Sequence, residues 1–190
     1  MMTNLRTSLI AGAMLAIGTF STAASADPAP HRQGLVLGGA ITGGHMGCET
    51  ADGDDCGDGA HPAGGFSVHL GGMAAPALAV MGELWGMRHD DDNWSASQVF
   101  LTANLRAFVV PRLWLQGGLG AARTSAEFDA GPFTAMSESD TVPAFVVGAG
   151  VELVQTPTFG LDLQLRGGSG FYNDDARIWN TAIGVGASWY

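Results

Sequence analysis

The side chains able to do chemistry in this chain fall into three groups. His45, His61 and His89 lie in sequence among Ser95 and the run Asp90-Asp91-Asp92, the residue types a hydrolase combines as base, nucleophile and orienting carboxylate. Carboxylates cluster at Glu49, Asp52, Asp54, Asp55 and Asp58, again at Asp90 to Asp92, at Glu127, Asp129, Glu138 and Asp140, and at Asp174 and Asp175. Clustered carboxylate oxygens are hard ligands suited to calcium or magnesium, but Asp52-Gly53-Asp54-Asp55 lacks the full twelve-residue calcium-loop pattern and its terminal Glu. No metal site or cofactor is therefore assigned. The third group, Glu83, Arg106, Glu152, Asp162 and Arg166, sits inside otherwise apolar segments.

Composition limits what these groups can serve. The 190 residues are 46% apolar and 14% charged, which excludes a disordered polyelectrolyte. The eight basic residues are all arginine, and against 18 acids they leave a net charge of −10. Nucleic-acid binding needs basic residues to neutralise phosphates, so nucleic acid is not an expected partner. Arg6, the uncharged stretch Leu9 to Phe20 and Ala24-Ser25-Ala26 read as a secretory signal peptide over 1–26, with the mature domain at 27–190. In an exported chain, Cys48 and Cys56 are expected to form a disulfide closing a short loop, worth about 2 kcal/mol.

The elements that must position these residues are strands. Apolar and small residues recur over 34–46, 64–74, 78–89, 97–110, 113–125, 142–155, 159–172 and 177–190. Short connections carrying Pro76, Pro111 and Pro157 alternate with longer polar ones, so long and short loops fall at opposite ends. The fourth segment shows the period most clearly. Val99, Leu101, Ala103, Leu105, Ala107 and Val109 form one face, and Gln98, Phe100, Thr102, Asn104, Arg106 and Phe108 form the other. Strands of this length suit a tilted bilayer crossing, which needs about 9 to 11 residues, and an even number leaves both termini on one side. Trp94, Trp114, Trp179 and Trp189 fall near segment ends, where indole is expected to bridge lipid and water.

In these features the chain resembles the OmpA/OmpX-type eight-stranded outer-membrane barrel family. The signal peptide, eight alternating segments, proline-containing short turns, the run Leu115-Gln116-Gly117-Gly118-Leu119-Gly120 and the aromatic carboxyl end carry the resemblance. It implies an all-β, eight-stranded antiparallel up-and-down transmembrane β-barrel in the bacterial outer membrane, with outer-membrane lipid and the barrel-assembly machinery as partners. Family members often end in an aromatic residue continuing the lipid-facing series. Here Thr181, Ile183, Val185, Ala187 and Trp189 make that series, and Tyr190 falls in the other register.

By the same alternation Glu83, Arg106, Glu152, Asp162 and Arg166 point inward. Buried charges must be paired or hydrated, so a charge network crossing the lumen is expected. His69, on the inward face with Ser67 and Gly71, is expected to be a hydrogen-bonded lumen residue. The leading functional expectation is a non-enzymatic surface protein with a polar plugged lumen, presenting acidic loops for envelope integrity, adhesion or binding of an extracellular ligand. Three alternatives stand beside it: a lipid A-modifying enzyme, for which no His-x-Ser pair appears on a lipid-facing strand; a small pore; and a soluble ligand-binding barrel of lipocalin type, whose Gly-x-Trp signature is absent.

Overall fold

In the computed structural model the described residues are 32–50, 55, 59–91, 94–129, 134–172 and 176–190. They form strands and turns with no helix. The strands are β1 (Leu35–Thr50), β2 (His61–Ala75), β3 (Leu78–Asp90), β4 (Trp94–Val110), β5 (Leu113–Asp129), β6 (Thr134–Glu138), β7 (Val142–Gln155), β8 (Phe159–Tyr172) and β9 (Ala176–Trp189). Each long strand pairs antiparallel with its neighbour, β4 pairs with β5, and β1 pairs with β9 from Leu37↔Trp189 to Thr50↔Ala176. The sheet is therefore a closed eight-stranded barrel, and β6 stands outside the ring as a flap on the end of β5 (Ser125↔Glu138 to Asp129↔Thr134).

The eight ring strands match the eight sequence segments, and the differences are confined to one end. β1, β2, β4 and β5 run three or four residues further toward the long loops than the apolar pattern indicated, and the third long loop contains β6. The reason is that lipid imposes the apolar alternation only at membrane depth, whereas backbone pairing continues into water without it. At the opposite end the turns at Pro76-Ala77, Pro111-Arg112 and Thr156-Pro157-Thr158 are short, as expected.

The wall is inverted relative to a soluble protein. Leu101 is 64% exposed and Leu105 55%, while Gln98 and Phe100, on the opposite face of β4, have no exposed surface. Leu119, Leu165, Ile183 and Val185 extend the outward apolar belt around the ring. An exposed apolar band of this extent would cost aggregation in water and is stable only against hydrocarbon.

Two tryptophans depart from the expected interface belt. Trp114 has no exposed surface and points inward, where its ring covers Gly148 and Gly150 of β7, so that a Cβ on Gly150 would collide with the indole. Trp94 also faces the interior, packed against His61 and His89. Residue parity on the strand decides this, because both are even-numbered members of inward series whose odd-numbered neighbours face out. Trp179 and Trp189 lie on the outward face at the two ends of β9.

Replacing Leu105 by Arg, in the middle of the lipid-facing band, is expected to destabilise the folded barrel in vesicles by about 2–4 kcal/mol. Urea titration of reversibly folded protein, read by the shift between unboiled and boiled gel migration, checks it; an unchanged midpoint would reverse the assignment of faces.

Candidate functional site

The chemistry-bearing residues of the strands converge on the lumen, and β3 serves as a ruler along it. From the short-turn end to the long-loop end its inward side chains are Ala79, Met81, Glu83, Trp85, Met87 and His89, all buried. They mark successive layers of the interior: an apolar base, a charged layer, a second apolar layer and a mouth.

Glu83 is the centre of the charged layer. It forms an ion pair with Arg166 through one carboxylate oxygen, and its other oxygen accepts a hydrogen bond from Gln116 Nε2 at 2.5 Å. Gln116 in turn accepts from Arg106 Nε at 2.9 Å, so Arg106 reaches the carboxylate through an amide rather than directly. Arg106 also stands 4.2 Å from the centre of the Trp114 ring, where the π face attracts its charge, and it donates to Ser188 Oγ at 3.4 Å. Arg166 Nε donates to Gln164 Oε1 at 2.7 Å. Asp162 is buried and interacts electrostatically with Arg106 and Arg166. His69 is buried with its Nε2 3.2 Å from Ser188 Oγ.

Glu152 does not join this cluster. It lies nearer the short-turn end, ion-paired with Arg32 and accepting a hydrogen bond from the Tyr190 hydroxyl at 3.0 Å. The Arg32 guanidinium sits 3.9 Å from the Phe108 ring centre and 5.1 Å from that of Tyr190. The five charges expected to form one network thus divide into two: Glu152 and Asp162 are register partners on β7 and β8, but Glu152 is taken up by Arg32 and Tyr190 while Asp162 interacts with Arg106 and Arg166.

Arg32 is the functional residue that the strand pattern missed, since it precedes β1. A signal was present. Three inward acids, Glu83, Glu152 and Asp162, against two inward arginines, Arg106 and Arg166, leave one negative charge that a low-dielectric interior does not tolerate. Arg32 supplies the third cation, and the buried charges balance three against three among the described residues. Gly34, with φ of +89°, provides the left-handed turn between Arg32 and the first strand of the wall.

Above the charged layer, Trp85 stacks on Phe100 with ring centres 5.1 Å apart, and Met46, Met87 and Val146 pack with them. The interior is therefore not polar throughout, as glycine and polar residues on the inward faces had suggested. A neutral network crosses near this level: Asn180 Nδ2 donates to Gln98 Oε1 at 2.6 Å, and Gln98 Nε2 and Thr124 Oγ1 donate to the Tyr172 hydroxyl at 2.8 and 2.6 Å.

At the mouth, His61, His89 and Trp94 form a ring cluster with centres 4.8 to 5.2 Å apart. His45 is exposed. Ser95 is on the outer face, where it accepts from Arg88 Nη2 at 3.2 Å, whereas His89 faces inward; strand alternation keeps the pair on opposite sides of the wall. Cys48, near the end of β1, faces the mouth and is not a free thiol; Cys56, its expected partner, lies outside the described residues. So do residues 1–26, expected to be a signal peptide, and Asp52, Asp54, Asp58, Asp92, Asp174 and Asp175. Among the described residues no group of three His, Cys, Asp or Glu is placed to hold a metal ion.

Comparison with known proteins places this architecture. Residues 12–190 match the family model for the outer membrane protein beta-barrel domain. No curated protein matches the chain. Among solved structures, the attachment invasion locus protein Ail of Yersinia pestis superposes with a TM-score of 0.60 at 16% identity, over 82% of this chain and 99% of that one. Ail in complex with the heparin analogue sucrose octasulfate gives 0.52 at 18%, over 80% and 98%. Neisserial surface protein A gives 0.56 at 15% identity, over 83% and 99%.

Removing one partner of the central pair leaves the other charge buried alone, so Arg166→Met is expected to destabilise the barrel by about 3–5 kcal/mol, and Arg166→Met combined with Glu83→Met by less than Arg166→Met alone. Urea unfolding in lipid vesicles measures both; a double variant as unstable as the sum of the singles would show that the two charges act independently.

Proposed function

The chain belongs to the outer membrane protein beta-barrel domain family, and from that premise we propose that it is a non-enzymatic surface protein whose sealed barrel holds acidic loops outside the bacterial cell for binding an extracellular partner. Its placement is the bacterial outer membrane, as for the barrels it superposes on. Cleavage of residues 1–26 as a signal peptide and insertion by the barrel-assembly machinery belong to the same reading.

The observation that carries it is the division of charge. The loops and strand ends on the long-loop side hold 14 of the 18 acids and, of the arginines, Arg88, Arg123 and Arg177, a balance of −11. The lumen balances at zero. Even the outer arginines are engaged: Arg88 with Asp90, Arg123 with Glu138 and Arg177 with Glu49, at 2.8, 2.5 and 2.6 Å. A field of one sign steers partners of the opposite sign and repels like ones, which supports a basic protein or polycation as partner. Ail was solved with a polyanionic heparin analogue; the acidic balance here argues against a polyanion for this chain.

The sealed lumen rests on the stacked layers and on the small bore of eight strands. The pore alternative is disfavoured by that filling, and the enzyme alternative by the separation of His89 from Ser95.

The test uses the chain refolded in vesicles. Retention on an immobilised cationic polymer, with none on heparin, is expected, falling steeply as salt rises from 50 to 500 mM on the order of the screening length. Replacing Asp90, Asp91 and Asp92 by Asn should weaken retention, and planar-bilayer recordings should show no steady current. Retention on heparin, or steady channel currents, would overturn the reading, as would acyl loss or gain by lipid A incubated with the protein.

A further inference from the structure

The mouth of the barrel contains a cavity of about 610 Å³ that the surface-interaction reading does not use. That volume lies in the range of small-molecule sites, roughly 300–1,000 Å³. It is bounded by side chains of six strands: Met46 of β1, His61 of β2, His89 of β3, Trp94 of β4, Phe128 of β5 and Ile178 of β9. Its floor is the second apolar layer, since Met46 belongs to that layer and Ala96 and Ile178 pack against it. An apolar cup at the water-facing end of a barrel is unusual in energetic terms, because nothing in the wall there needs to meet hydrocarbon.

The wall contains one polar group that the fold leaves unanswered. His89 is 7% exposed, and its Nδ1 is 2.8 Å from the carbonyl oxygen of Pro62. A carbonyl can only accept, so Nδ1 carries the proton and Nε2 presents a lone pair in the neutral ring. Nε2 has no partner among the described residues, although a buried polar atom without one costs about 1–3 kcal/mol. The rings of His61 and Trp94, both half-buried, flank His89 at 4.9 and 4.8 Å between centres. Asp91 adds a carboxylate to the wall, and the surrounding segments are acidic.

We propose that this mouth cavity binds a small planar apolar molecule that carries an N–H or O–H donor and no negative charge, the donor answering His89 Nε2 and the ring packing between Trp94, Phe128 and Met46. Apolar lining supplies the affinity, the imidazole acceptor supplies orientation, and Asp91 with the acidic rim excludes anions. His89 Nε2 is closed off from solvent in the structure, so binding includes an adjustment of the neighbouring His61 and Trp94 rings, of a kind common at ligand sites. This goes beyond a protein partner on the loops and does not depend on one, since it concerns the interior face of the wall.

The test compares indole, which has the donor, with 1-methylindole, which has the same body and lacks it. Equilibrium dialysis against the refolded chain in lipid nanodiscs, with empty nanodiscs subtracting partition into lipid, reads binding directly. Saturable one-site binding of indole is expected, about tenfold tighter than 1-methylindole, with the preference lost in His89→Leu and binding abolished in Ala96→Trp, which fills the cup. Binding no greater than to empty nanodiscs, equal binding of the two probes by the unaltered chain, or binding that survives in folded Ala96→Trp would each overturn the proposal. The two-probe comparison needs no variant, so the result stands even where Ala96→Trp fails to fold. Failure here leaves retention on the cationic polymer unaffected, and loss of that retention leaves indole binding unaffected.

Discussion

The pairing of β1 with β9 is the constraint on which the rest of the molecule depends. Hydrocarbon offers no partner to a backbone N–H or carbonyl, so a sheet crossing it must have no edge. The ladder from Leu37↔Trp189 to Thr50↔Ala176 removes the last edge and makes the ring closed. Closure then fixes the rest. Once the wall is a cylinder, side-chain alternation sorts every residue at membrane depth into lipid or lumen, and eight strands leave a lumen narrow enough to be filled by side chains alone.

Filling that lumen is a problem of charge as much as volume. The interior holds Glu83, Glu152 and Asp162 with Arg32, Arg106 and Arg166, each buried. Paired charges in low dielectric are no cheaper than apolar packing, and often dearer, so their value lies in what they specify. The Glu83 cluster joins the consecutive strands β3, β4 and β5 to β8 across the ring, and its Glu83–Arg166 and Glu83–Gln116 contacts link strands that are not neighbours. A register slip on any of them would leave a charge without its partner. The Arg32 to Glu152 pair does the same for the segment before β1, drawing it under the barrel beside Tyr190.

How much of this the sequence disclosed follows from where each force acts. The strands were legible because lipid enforces period two over their whole middle, as in Val99 to Val109 against Gln98 to Phe108. The outer extensions and β6 were not, since beyond the membrane a ladder needs no apolar signature. Parity alone would have placed Trp114 inside; position near a strand end suggested an interface instead, and the glycines at 148 and 150 that make room for the indole belong to another strand. Gln98, which the alternation places only on a face, joins Tyr172 and Asn180 in a buried network whose members are 74 and 82 residues away. Partners so remote leave no local pattern. Arg32 was recoverable only by counting charge over the whole interior.

The layering separates two electrostatic problems that a single charged lumen would couple. In the sequence 14 of the 18 acids fall in or beside the long connecting segments, and among the described residues the balanced buried set lies on the far side of Trp85, Phe100, Met87 and Val146 from the mouth. Those apolar side chains stand between the mouth and the ion pairs, and a buried pair is costly to break. The loops face solvent, where salt screens charges over about 8 Å and each carboxylate contributes little to folding. Charge at the rim thus has little part in folding, while each charge in the lumen, once buried, needs its partner. The apolar layer that makes this division is also the floor of the mouth cavity, so the surface on which a small ligand would rest is the same one that insulates the fold from whatever the loops bind.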